Sequence, residues 1–452
     1  MSGDLLVEGG TVVSGSGSFR ADVLVLDGRI AEIGDVGARA GIPRLDAGGC
    51  LVLPGGVDVH AHVFGRIEAD TRSALHGGTT SLLSFMAHEP GEHPAETARR
   101  AIADEIPRSA IDLGIHGVIW EPEAYRAGDL RRLTDLGVTS VKLWLAYREL
   151  GIMADDAQIY AVMREAAVEG VTVQAHCENG YLVDALRDEF VADGRTALRY
   201  HAAARPVGLE EEAVHRFLAV ARLAGPDAYV VHVSSAAAVD QIERARGSGQ
   251  TVFAEVCSHH LTFDESAYEH PDASRYVMTP PLRSDGDRGA IWKALAQGKI
   301  NVYASDHGHL TLAEKLAGGE DFTGIEPGVP GVEVRLAVGF TFGVDAALIS
   351  KERLIAAACT EPARIFGLYP RKGAIVPGAD ADLVVWDTRV RRTLGTDALH
   401  DGLDYTPYEG VEVHGAPRAV IVAGEVAIDE GREVERERAP RYLGRGRYGV
   451  AA

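Results

Sequence analysis

The segment GGVDVHAH sets His60 and His62 two residues apart at the end of an apolar run. On a strand, that spacing points both imidazoles to the same face. Further apolar runs end in His176 and Asp306, another carries His232, and Lys142 sits within a fourth, SVKLWLAY. Imidazole nitrogen together with carboxylate oxygen is a donor set for zinc or a similar divalent ion. Lys142 does not fit a plain metal site, because an ammonium beside cations is repelled and burial favours the neutral amine. A neutral amine reacts with carbon dioxide to give a carbamate, an anion that can bridge two metals. An interior lysine paired with a carboxylate is the other reading these residues allow.

These residues need a scaffold that brings distant positions together. Eight apolar, β-branched runs recur at 51–59, 80–86, 111–119, 140–146, 171–175, 229–233, 251–256 and 300–304. Continuous apolarity of this length suits strands buried on both faces, as in a parallel sheet. Amphipathic stretches at 155–169, 209–224 and 285–297 read as helices between them. Eight such units predict a (β/α)8 barrel over 54–370, whose active site lies at the C-terminal ends of the strands. The candidate ligands fall at those ends. Residues 1–53 and 371–435 are β-rich, with hairpin signals at Asp27-Gly28 and Gly424, and predict one β-sandwich domain assembled from both ends of the chain. Residues 436–452 read as a basic tail for packing or assembly.

Composition bounds the rest. The 452 residues are 46% hydrophobic and 25% charged, which excludes a disordered chain. With 45 basic and 66 acidic residues the net charge is −21, so nucleic acid and anionic membranes are not expected partners. Cys50, Cys177, Cys257 and Cys359 are far apart and form no CxxC pair, which points to a reducing, cytoplasmic setting. Cys177 and Cys257 read as small buried hydrophobes. No charge-free run reaches the length of a membrane span.

GGVDVHAH, SVKLWLAY, VQAHCENG, VVHVSS, TPPLR and SDH follow one another in the order and spacing of the cyclic amidohydrolases, and PARIFGLYPRKGAIVPGADADLVVWD resembles that family's return into its β-sandwich. The segments 142–180 and DYTPYEG at 404–410 resemble the hydantoinase and dihydropyrimidinase branch most. The resemblance covers nearly the whole chain. It implies two divalent metals, usually zinc: His60, His62 and Asp306 would hold one, His176 and His232 the other. Lys142, as N6-carboxylysine, and a hydroxide would bridge them. The hydroxide attacks the ring carbonyl, Asp306 passes its proton to the leaving ring nitrogen, and the product is an N-carbamoyl amino acid. Tyr147 would orient the ring and assist the oxyanion, with Ser258 and Thr279 as the nearest matches to the ring-reading groups. The family commonly forms homotetramers.

Departures refine the substrate. Dihydroorotases carry a carboxylate-binding arginine two residues after the second histidine; here that position is Phe64, with Arg66 two further on, so a small neutral cyclic amide is expected. Thr279 stands where many hydantoinases have asparagine. Gly77 follows His62 by only 15 positions, shorter than the family's usual excursion, which predicts a more open site. HCEN also occurs in allantoinases, making allantoin the alternative substrate. Non-catalytic scaffold relatives lose metal ligands, whereas all six positions are present here. His259, His260, His307 and His309 are expected to support the shell or rim.

Overall fold

The computed structural model describes residues 3–37, 39–89 and 91–449. Eight parallel strands follow one another around a closed ring: Gly56–His62, Thr79–Phe85, Asp112–Val118, Ser140–Trp144, Thr172–His176, Ala228–Val230, Val252–Cys257, and an eighth in two pieces, Val302–Ala304 and His307–Gly308. Val302–Ala304 pairs with the seventh strand, and His307–Gly308 pairs with the first, which closes the ring. The break between the pieces holds Asp306, whose backbone N–H donates to the His60 carbonyl at 2.9 Å. The strands are buried almost throughout, as expected for strands covered on both faces.

The helices between them are fixed by local signals. Asp156–Glu169 starts at a capping box, with Asp155 accepting from the Gln158 N–H and Gln158 reaching back. It stops at Gly170 with φ +66°, the left-handed C-terminal geometry that glycine adopts without strain. Val207–Ala224 and Asp285–Ala296 bury their apolar stripes on the barrel.

The chain ends build a second sheet of nine strands. Leu5–Ser14 lies near its centre, with Leu51–Pro54, Leu383–Thr393 and Glu412–Val422 to one side and Gly17–Leu26 and Arg29–Gly34 to the other. Strands from both ends of this path share one buried apolar cluster that includes Val23, Ile30, Val52, Val385 and Ile421. The first apolar run of the sequence therefore divides: Leu51–Pro54 pairs with Leu383–Trp386 in this outer sheet, and only Gly56–His62 enters the barrel. The chain crosses between them at Gly55, where a Cβ would run into the Thr80 side chain.

Residues 441–445 pack against the barrel strands. Leu113 N–H donates to the Arg441 carbonyl at 3.0 Å, Leu443 N–H donates to the Leu113 carbonyl at 2.9 Å, and Leu443 is buried. Arg445, also buried, donates to the Ile115 carbonyl (2.6 Å) and the Ser140 hydroxyl (2.9 Å).

Candidate metal centre

Six side chains from five strand ends converge at the C-terminal mouth of the barrel. His60 Nε2 lies 2.9 Å and His62 Nε2 3.5 Å from the same oxygen of Asp306. Ligand atoms of these three residues lie within 4.8 Å of one another. Beside them, His176 Nδ1 faces His232 Nε2 at 3.0 Å, and Lys142 lines the same cavity, its amine 4.7 Å from the Phe85 ring centre. His232 and Asp306 have φ of +37° and +48°, and Tyr147 +67°, a left-handed region that side chains other than glycine rarely adopt. Three strained residues at one cavity mark a place where position is held against local preference.

Electrostatics supports a cation at this cluster. Nδ1 of His60 contacts the Glu255 carboxylate, so it carries the proton, and Nε2 then turns a lone pair toward Asp306. A ring held between two carboxylates must take up a second proton or a cation. Burial opposes the charged ring, but Asp306 and Glu255 outweigh it and raise His60 to about 9. Asp306 is correspondingly held well below the usual carboxylate range: burial works the other way, and His60 and His62 prevail. His176 is oriented in the same manner, its Nε2 2.8 Å from Glu178 Oε2, leaving Nδ1 free to ligate. Carboxylates behind metal-binding histidines fix their tautomer and raise their basicity. Burial brings the Lys142 amine down to about 8, against the pull of Asp306 and Glu255.

A cavity of about 320 Å³ opens over the cluster. Trp120, Trp144, Leu150 and Ile152 form its apolar side. Tyr147, whose hydroxyl is hydrogen-bonded to Thr279 Oγ1, stands across the mouth with the 326–328 segment. Among the described residues, the only side chain of lysine or arginine lining this cavity is Lys142. Arg66 turns away and donates to the Asp401 carbonyl at 2.7 Å, and Phe64 packs on the barrel core, so neither presents to the cavity. Ser258 is buried with its hydroxyl 3.5 Å from the Ala304 carbonyl, outside the cavity lining, whereas Thr279 is part of it. His309 lines the rim and lies 3.0 Å from Asp70; His307 is buried and accepts from the Gly331 N–H. His259 and His260 are buried behind the wall, the latter 3.0 Å from the Pro280 carbonyl. Cys177 and Cys257 are buried free thiols.

Glu255, Glu178, Trp120 and the 326–328 segment escaped the reading from sequence. Glu255 had a usable signal: it is a carboxylate inside an otherwise apolar run, VFAEVC, and such a charge needs a partner. The 326–328 segment is irregular loop, and no periodicity places it at the mouth.

A closed parallel barrel with imidazoles and a carboxylate gathered at its strand ends is the architecture of a metal-dependent hydrolase. Comparison with known families agrees, since residues 51–427 match the amidohydrolase family. The chain belongs to that family, whose members are built around a binuclear metal centre. It is 38% identical to a D-hydantoinase from Ralstonia pickettii, over 98% of this chain and 99% of the relative. A second D-hydantoinase, from Rhizobium radiobacter, is 37% identical over 98% and 99%. Among solved structures, a D-hydantoinase superposes with a TM-score of 0.94 at 36% identity, covering 98% of this chain and 99% of that one. A dihydropyrimidinase from Brevibacillus agri gives 0.94 at 34% identity, with 99% and 100% covered.

Proposed function

We propose that this protein hydrolyses the ring amide of a hydantoin- or dihydropyrimidine-like substrate, giving an N-carbamoyl amino acid. The observation that carries the reading is the convergence of His60, His62, Asp306, His176, His232 and Lys142 beneath a cavity whose lining offers no arginine to an anionic ring. The names of the relatives support the same substrate class.

His60, His62 and Asp306 would hold one divalent metal and His176 and His232 a second, with Lys142 between them. Metals held there, zinc in this proposal, lower the pKa of water and polarise a carbonyl. Lys142 would serve them as an anionic ligand in carbamate form: its neutral amine forms an N–C bond to carbon dioxide and releases a proton, leaving an anion. Asp306 accepts the proton of the attacking water and delivers it to the ring nitrogen as the C–N bond breaks. The Tyr147 hydroxyl, set by Thr279, donates to the carbonyl oxygen as it gains charge. Trp120, Trp144, Leu150 and Ile152 hold the ring and exclude bulk water. In this reading the enzyme is a cytoplasmic homotetramer, and exposed Tyr181, Leu182 and Val191 on the helix Gly180–Ala192 offer apolar surface for assembly.

Turnover of a panel tests the proposal: hydantoin, 5-substituted hydantoins, dihydrouracil, allantoin and dihydroorotate, with metal content measured on the same preparation. Hydrolysis of hydantoins or dihydrouracil with two metals per chain is expected. Hydrolysis of allantoin alone would move the protein to the alternative substrate. A protein that retains no divalent metal after supplementation would end the enzymatic reading.

A further inference from the structure

Lys315, at the end of the short helix Leu312–Lys315, is completely buried. Its ammonium has no carboxylate within ion-pairing distance among the described residues; it donates instead to three backbone carbonyls, Val277 at 2.7 Å, Glu326 at 3.0 Å and Gly328 at 2.6 Å. Three N–H groups meet three acceptors, which satisfies the ammonium fully. A buried lysine is costly, and burying one without a countercharge requires such complete hydrogen bonding.

The three carbonyls belong to two separate segments, and both segments wall the cavity. Met278 and Thr279, which follow Val277, line the cavity, and so do Glu326, Pro327 and Gly328. The segments touch directly through one further bond, the Gly328 N–H to the Val277 carbonyl at 3.1 Å. The Lys315 carbonyl accepts the Glu326 N–H at 2.8 Å, and the Tyr405 hydroxyl adds a bond to the Gly328 carbonyl at 3.2 Å. Neither segment is in a strand or helix that would otherwise hold it in place.

We propose that Lys315 is a positioning residue for the ring-opening reaction: it clasps the 277–279 and 326–328 segments together and so fixes the stretch of cavity wall that they share. It touches no reacting atom. The proposal rests on the reaction proposed above for what the cavity binds. The walls contact the ring in the ground and transition states alike, so loosening them removes uniform binding and acts on KM rather than kcat.

Lys315→Met keeps the side-chain stem and removes all three donors. The expected result, well below the melting temperature, is a KM for the preferred ring raised at least tenfold, kcat within threefold of wild type, and two metals retained. Phe217→Leu, in the core and outside the cavity lining, is the comparison variant for lost stability alone. Hydrogen exchange supplies a second readout, with the Glu326 and Gly328 amides losing protection in Lys315→Met while the barrel strands keep theirs. Tyr405→Phe, which removes only the bond to Gly328, is expected to raise KM two- to threefold and serves if Lys315→Met does not fold. An unchanged KM in the folded variant, or wild-type exchange at both amides, overturns the clasp. A wild type that turns over no ring would defeat the proposed reaction instead, and the exchange arm still decides the clasp.

Discussion

Oε2 of Glu178 lies 2.8 Å from Nε2 of His176, and the pair is buried at the edge of the candidate metal centre. The same oxygen accepts from Arg205 at 2.8 Å, and burial of the carboxylate is outweighed by Arg205 and His176, which hold Glu178 down to about 2. Glu178 thus remains an anion and fixes the histidine with Nδ1 turned to His232. Loss of a carboxylate behind a metal-binding histidine costs about 10- to 100-fold in metal affinity. Glu178→Gln is expected to lose one of two metals in a chelator titration at concentrations that leave wild type loaded. Equal retention by both proteins would show that His176 needs no such support.

Lys142 has no ion-pair partner among the described residues; the Phe85 and Trp144 rings lie 4.7 and 5.6 Å from its amine, and it shares the cavity with the four candidate-ligand histidines and Asp306. Burial brings the amine down to about 8, so more of it is neutral and open to carbon dioxide than at an exposed lysine, and the proposed carbamate needs that neutral form. Lys142→Ala is expected to abolish nearly all turnover and to reduce bound metal. Reconstitution of metal-free wild type should be slower in buffer stripped of carbon dioxide and restored by bicarbonate. A Lys142→Ala protein with two tightly bound metals and full turnover would refute the carbamate.

Tyr147 is held by a left-handed backbone and by a hydrogen bond between its hydroxyl and that of Thr279, which fixes the phenol oxygen at the wall of the cavity. Burial also pushes its pKa up, which keeps the phenol protonated as a donor. Removing one donor to a developing oxyanion costs about 10²- to 10³-fold in kcat. Tyr147→Phe is expected to lose at least 10²-fold with metal content unchanged, and Thr279→Val a smaller factor of about ten. A Tyr147→Phe enzyme with normal kcat would place the tyrosine in packing alone.

How far these residues were legible in the sequence depends on whether their signal is local. The convergence of the candidate ligands was legible because strand periodicity and the barrel rule together place strand ends at one mouth: His60 and His62 lie two apart on one strand, and His176 closes the strand Thr172–His176. The helix ends were legible at Asp155 and Gly170 because caps are short-range chemistry. The division of the run 51–59 had a local signal that was read through: Pro54-Gly55-Gly56 interrupts it, and the chain turns there from the outer sheet into the barrel, with Gly55 crowded against Thr80. Lys315 was invisible for a different reason: its three partners are main-chain carbonyls, which no residue type advertises.

The junction between the barrel and the outer sheet is held by charge. Lys372 is completely buried, its ammonium 2.7 Å from Asp112, 3.2 Å from Asp380 and 2.5 Å from Asp382, and Arg441 bonds Asp112 and Asp380 from outside. Asp112 belongs to the third barrel strand, while Asp380 and Asp382 lead into Leu383–Thr393. Burial raises the carboxyls, but at Asp112 Lys372 and Arg441 prevail and hold it to about 2. A carboxylate with a depressed pKa contributes stability that is full above its unfolded value of about 4 and is lost as pH falls toward 2. Lys372→Met leaves three buried carboxylates without their shared cation, a loss of about 3–5 kcal/mol at pH 7. In that variant the carboxyls titrate upward, so protonation relieves their repulsion as the solution is acidified. The stability gap between wild type and Lys372→Met, read from urea unfolding, should therefore be widest at pH 7 and narrow steadily toward pH 4. A gap independent of pH would mean that Lys372 contributes packing and not charge.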